Sequence, residues 1–207
     1  MSKVAVRRES QREALIEAAE RRIAFHSVAG LKARDLAGEV GVALGAIYNL
    51  VEDMDELVLR VISRTLARLD AALSDGEVTA RSSAEAVDRL VVIATRYHAF
   101  AAGNLHLWRV MFEYRMAPDR VLPEWAVADQ MRLFRHIIAP LAVLMPEAAL
   151  AQREVMARTL FAAVHGIIAL GLDEKLVAVP LEVLDRQLEW LVRSTCTEAA
   201  LKRAAGA

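Results

Sequence analysis

Between Lys32 and Asn49 the chain places residue types suited to contact with a nucleic acid. Lys32 and Arg34 can pair with phosphates, the Tyr48 hydroxyl can donate to one, and the Asn49 carboxamide can donate to and accept from a base edge. Leu44, Gly45 and Ala46 stand just ahead of them. Side chains of that size let a backbone lie close against a groove, where the apolar ones meet thymine methyls and specificity leans on DNA shape.

Such residues act only if short elements hold them outward. Leu36, Ala37 and Val40 lie three and four apart, so they share one face of a helix. Gly41 follows where the chain must bend, because glycine tolerates positive φ. Val42 turns inward, and Ala43 to Leu50 reads as a second short helix. Two such helices joined across a glycine form a helix-turn-helix pattern, which presents its second helix to a major groove.

Arg12 through Leu57 resembles the DNA-binding domain of the TetR family of transcriptional regulators. Leu15, Ile16, Ala18, Ala19 and Ile23 match its first helix, and Leu36-Ala37 with Gly41-Val42 match its second helix and turn. Gly45-Ala46-Ile47-Tyr48 matches the recognition helix, and Leu57 opens the long helix that follows. Three positions depart from the family pattern. Lys32 and Ala43 stand where capping Ser or Thr residues are usual, and Met54 stands where a phosphate-binding Lys or Arg is usual. Alanine at a cap forgoes roughly 1 kcal/mol of helix-start stability.

Charge is distributed unevenly although the net charge is only −1. Residues 1–35 hold eight Lys/Arg against five Asp/Glu, whereas residues 36–57 hold five acids and no Lys/Arg. The positive footprint therefore falls to Arg7, Arg8, Arg12, Arg21, Arg22, Lys32 and Arg34. Glu52, Asp53, Asp55 and Glu56 suit the start of a helix dipole, yet they also lie close to where DNA would be. Arg60, Arg64 and Arg68 recur at four-residue spacing, as phosphate partners or as a solvated face paired with Asp70.

The rest of the chain reads as helix, with no strand-like alternation or internal repeat. Ser2–Arg8 is expected to be a basic arm, and Glu9–His26 the first helix. A long helix is expected over 53–74, one from Ser82 or Ser83 to Ala102, and a short aromatic-rich one over Leu105–Met116. A helix from Glu124 to about Leu144 should kink at Pro140. Another should open at Pro146-Glu147 and run through Leu170, a loop should follow over Gly171–Val179, and a last helix should begin at Pro180. The fold class is all-α, with a three-helix helix-turn-helix DNA-binding domain (1–52) followed by a larger helical effector-binding and dimerisation domain (53–207).

Phe161-Ala-Ala-Val-His165-Gly166 resembles a TetR subgroup marked by an aromatic and then His-Gly in the penultimate helix. The resemblance implies a ligand-sensing domain that dimerises through its last two helices. Leu160, Val164, Ile167, Ile168, Leu184, Leu188 and Leu191 are the expected dimer interface, since a symmetric dimer sets two recognition helices one DNA turn apart. Phe100, Trp108, Met111, Phe112, Trp125, Met131, Phe134, Phe161 and His165 are the expected effector pocket, apolar with few polar groups. Packing of a helical core competes with that reading at each of them. His98, His106, Arg109, Glu113 and His136 are further polar candidates, and His165 is expected to bond a backbone carbonyl.

No catalytic constellation is evident. The five histidines lack the helical spacing of zinc or di-iron sites, so no metal or cofactor is expected. The single Cys196, in a C-terminal helix, excludes an internal disulfide. The N-terminus has no apolar signal core, and no apolar run reaches the ~20 residues of a membrane span. A cytoplasmic, homodimeric, ligand-responsive repressor follows, with operator DNA and a small apolar or amphipathic effector as partners. The alternative is a helical small-molecule-binding dimer that has lost most DNA affinity.

Overall fold

The computed structural model describes residues 3–76 and 79–205, and these are helical with no strand among them. They pack as two compact units, Met1–Arg68 with Asn104–Asp129 and Leu69–Gly103 with Gln130–Ala207. The expected functional boundary after residue 52 falls inside the first unit.

In the first unit, helix α1 (Lys3–His26) buries Leu15, Ile16, Ala18, Ala19 and Ile23 on one face. It begins well before the expected Glu9. Residues 3–13 are mostly good helix formers with no glycine or proline, so helix propagates through the supposed arm; Ser2 lies outside the described residues. Helix α2 (Ala33–Val40) ends as expected at Gly41, whose φ of 71° and ψ of 36° are left-handed. The Gly41 N–H bonds Gly38 O and the Val42 N–H bonds Ala37 O, satisfying carbonyls that the helix end leaves open.

The second element of the motif is a 3-10 helix, Leu44–Asn49, rather than an α-helix. Ala46 N–H bonds Ala43 O and Leu50 N–H bonds Ile47 O, each at 2.8 Å. Ala43 has no side-chain acceptor for the first N–H groups and Gly45 weakens α-propensity, so the short segment tightens into three-residue turns. A further 3-10 turn, Val28–Gly30, joins α1 to α2. Helix α3 (Met54–Ser74) follows, and Leu57, Val58 and Val61 on it are fully or almost fully buried. Helix α5 (Leu105–Glu113) adds Leu107, Trp108, Val110 and Met111 to the same core, and α6 (Glu124–Arg132) adds Ala126.

In the second unit, helix α4 (Ser83–Gly103) starts on a side-chain cap. Ser82 Oγ accepts the Glu85 N–H, and the Glu85 carboxylate reaches back to the Arg81 N–H. Helix α7 (Arg135–Leu144) is separate from α6, and Pro140 sits inside it. The expected single helix kinked at Pro140 is thus corrected to a break at Leu133–Phe134. Asp70 accounts for the position: its carboxylate accepts His136 Nε2 at 2.8 Å and Arg135 at 2.9 Å, pinning the first turn of α7. His136 is 1% exposed, so its side of this bond is shielded from water.

Helix α8 (Leu150–Leu172) begins four residues later than expected. Arg153 donates to the Met145 and Pro146 carbonyls, at 3.0 and 2.7 Å, and holds the preceding turn out of helix. Helix α9 (Leu181–Thr195) buries Leu184, Leu188 and Val192 at four-residue spacing. Where α8 nears α9, a Cβ on Gly171 would lie 2.7 Å from a δ-methyl of Leu184, which is fully buried. The chain then bends at Cys196 into a tenth helix, α10 (Glu198–Ala205), absent from the sequence reading. Thr197 Oγ1 caps it by accepting the Ala200 N–H.

Candidate DNA interface and effector cluster

The recognition segment is anchored from beneath and open above. Ile47 is fully buried and Leu50 nearly so, while Leu44 is 43% and Tyr48 51% exposed. Gly45 and Asn49 are exposed and Ala46 half-buried. Lys32, at the extended position before α2, and Arg34 in its first turn are exposed as well. All seven expected contact residues lie in unit 1, and six of them are exposed.

Much of the expected positive footprint is already engaged. Arg21 and Arg22 bond Glu39 at 2.8 and 3.1 Å, and Arg22 reaches Asp35. The Arg21 bond, with Arg22 in support, holds the Glu39 carboxyl below its ordinary range. Arg12 bonds Glu56 at 3.0 Å. Burial opposes ionisation of Glu56, but the Glu52 N–H at 2.7 Å together with Arg60 and Arg12 outweighs it, and its pKa is lowered. Arg64 pairs with Glu13, Glu17 and Glu20, and Arg68 with Glu20, so these two answer α1 rather than Asp70, while Arg60 pairs with Glu56. Among the described residues Lys32 and Arg34 make no ion pair.

The acids at the start of α3 are answered from the loop between α5 and α6. Arg120 bonds Asp53 and, at 3.1 Å, Glu52. The Tyr114 hydroxyl donates to Asp55, and burial and that carboxylate together push its pKa up. Nothing in the sequence pattern singled out Arg120 or paired Tyr114 with an acid. Their partners lie some sixty residues away, beyond the reach of periodicity.

The expected effector residues divide between the units. Trp108, Met111, Phe112 and Trp125 belong to unit 1. Trp108 and Met111 are buried, the rings of Trp108 and Phe112 lie 5.6 Å apart, and Trp125 lies under the Arg60 guanidinium at 4.0 Å. Phe100, Met131, Phe134, Phe161 and His165 belong to unit 2. There Phe161 packs 5.6 Å from Phe134, 5.8 Å from Tyr97 and 5.4 Å from His165, centroid to centroid. Phe100 is half-buried and Met131 43% exposed. His165 Nδ1 lies 2.8 Å from the Tyr97 hydroxyl, a phenol where a backbone carbonyl was expected. Other polar candidates serve the fold: His98 bonds Asp185 and His106 bonds the Ala24 carbonyl.

A model of the tetracyclin repressor-like C-terminal domain matches residues 90–195, half of the chain. The chain belongs to the TetR family. Its fold is shared with solved structures of low identity. A protein of unknown function from Rhodococcus sp. RHA1 is 22% identical with a TM-score of 0.66, covering 94% of this chain and 95% of that one. A TetR-family protein from Vibrio parahaemolyticus is 21% identical with a TM-score of 0.60, covering 89% and 97%. No curated protein matches. The family is one of transcriptional regulators.

Within this TetR-family chain, burial redistributes the residues expected at the dimer interface. Ile168, Leu184 and Leu188 have no exposed surface and Leu160 and Val164 almost none, so they form the chain's own core. Ile167 and Leu191 are half-buried. Helical stripes alone cannot say whether a leucine faces its own bundle or a second copy. The outward surface of α8 carries Val155, Ala162, Ala163 and Leu170, and that of α9 carries Trp190, which is 64% exposed. The Leu150–Leu172 helix is also long and apolar enough to cross a membrane, with a mean hydropathy of 1.8. Arg158 falls inside it, and the stretch without a charged residue is 159–172, shorter than the ~20 residues of a membrane span.

Burial pushes the His165 pKa below its ordinary value. A depressed histidine pKa means that the unfolded chain binds the proton more readily. Its contribution is complete above about pH 6.5 and declines as pH falls through that value toward the folded pKa. Thermal unfolding at about pH 7.5 and about pH 5 should therefore show a larger loss for the wild type than for His165→Gln. Equal losses would mean that His165 takes up no proton on unfolding.

Proposed function

We propose that the protein is a ligand-responsive repressor that binds operator DNA as a homodimer. One observation carries this reading: in a TetR-family chain, Leu44–Asn49 is held from below by Ile47 and Leu50 and offers Leu44, Tyr48 and Asn49 to solvent. Lys32, Arg34 and Tyr48 hold phosphates, and Leu44, Gly45, Ala46 and Asn49 approach base edges. The chain separates here into a DNA-binding part, 1–52, and an effector-binding and dimerisation part, 53–207. The outward faces of α8 and α9 supply the dimer contact, which would cover the exposed apolar side chains of α8 and Trp190. A small apolar or amphipathic effector engages the Tyr97–Phe161–His165 cluster and shifts the population between DNA-competent and released states.

The ion pairs of Arg12, Arg21 and Arg22 favour a second reading, a small-molecule-binding dimer with little DNA affinity. Gel shifts on the DNA upstream of the protein's own gene, titrated with salt, separate the two. Sub-micromolar, sequence-selective binding whose affinity falls steeply with salt is expected for the regulator. Weak, unselective binding would leave only the second reading.

A further inference from the structure

Unit 2 contains a cavity of about 420 Å³ that shares no lining residue with the aromatic cluster. The last turn of α7, the turn before α8, the start of α4 and the bend between α9 and α10 line it. Leu144, Met145, Leu201 and Cys196 form its walls and Ser83 contributes a hydroxyl. Met145, Leu201 and Cys196 are each buried. The walls are held by bonds made elsewhere: Arg153 fixes the Met145 and Pro146 carbonyls, and Thr197 caps α10. A cavity built this way is formed before a ligand arrives, and its volume is within the range of small-molecule sites.

The lining also selects the ligand's chemistry. Lys202, at the rim, is paired with Glu198 at 2.6 Å, so its charge is already answered. Burial raises the Cys196 pKa, which keeps the thiol neutral. An anionic ligand would find no open counter-charge among these groups, and Glu147, the other charged lining residue, is exposed to solvent. Two sulfur-bearing side chains, Met145 and Cys196, face the space, and polarizable sulfur favours the edges of aromatic rings. We propose that this cavity binds a neutral aromatic small molecule, at a site separate from the effector cluster and independent of it.

The neutral fluorophore N-phenyl-1-naphthylamine is a direct probe, and Cys196, the chain's single cysteine, reports on the cavity by itself. Titration of the full chain should give saturable fluorescence at one probe per chain. Probe at about ten times its Kd should slow alkylation of Cys196 by N-ethylmaleimide about tenfold, read by mass. Protein alkylated beforehand should no longer bind the probe, and Leu201→Trp, which fills the space, should weaken it about tenfold or more. Absence of saturable binding, an unchanged alkylation rate, or full binding to the alkylated protein would each overturn the proposal. All of these readouts are independent of DNA, so they stand apart from the operator test.

Discussion

Gly45→Glu should lower operator affinity about a hundredfold, while leaving the melting temperature within a degree or two of the wild type. The two halves of that expectation have separate grounds. A Cβ built on Gly45 meets nothing within 4 Å, and the residue is exposed, so the fold gives the new side chain room. Against a duplex the same carboxylate would face phosphates, and like-charge juxtaposition at an interface costs several kcal/mol; about 3 kcal/mol is a hundredfold. Gly45→Ala is the matched control, adding a methyl without charge. Gel shifts and thermal melts on all three proteins check the point. Wild-type affinity in the glutamate variant would mean that Leu44–Asn49 does not lie on DNA.

Leu188→Ala should cost about 2–5 kcal/mol of unfolding free energy, because a fully buried leucine leaves both lost transfer energy and a cavity behind. The same residue was expected from the sequence to contact a second copy, and the two roles differ in what they predict. A core role lowers the urea midpoint at every protein concentration. An interface role would weaken the dimer and leave the isolated chain as stable as before. Denaturation across a hundredfold range of concentration, with sedimentation on the same samples, distinguishes them.

The parts of this fold that sequence could reveal are those set by near neighbours. Gly41 had to be a left-handed turn, and Ser82 with Glu85 had to be a helix start. Each follows from residues within four positions of one another. The misplaced features were decided at long range. The break before α7 depends on Asp70, whose partners Arg135 and His136 come from a distant stretch of sequence. The acids Glu52, Asp53 and Asp55 count as negative charge in the sequence, but Arg120 and Tyr114 answer them in the fold. The 3-10 form of the recognition segment lies between these cases. The alanine at its cap and the glycine inside it were visible, and their combined effect on helix type was not drawn from them.

Gly171 leaves a different kind of trace. The apolar surface of α8 tolerates many exchanges, since Ala162, Ala163 and Leu170 face outward. One step beyond Leu170 the turn into α9 closes over a bare α-carbon, with the Leu184 methyl filling the space a side chain would claim. A saturation scan along this helix would find its outward positions permissive and Gly171 as intolerant as the buried leucines and isoleucine, since even alanine there must dislodge the fully buried Leu184 side chain.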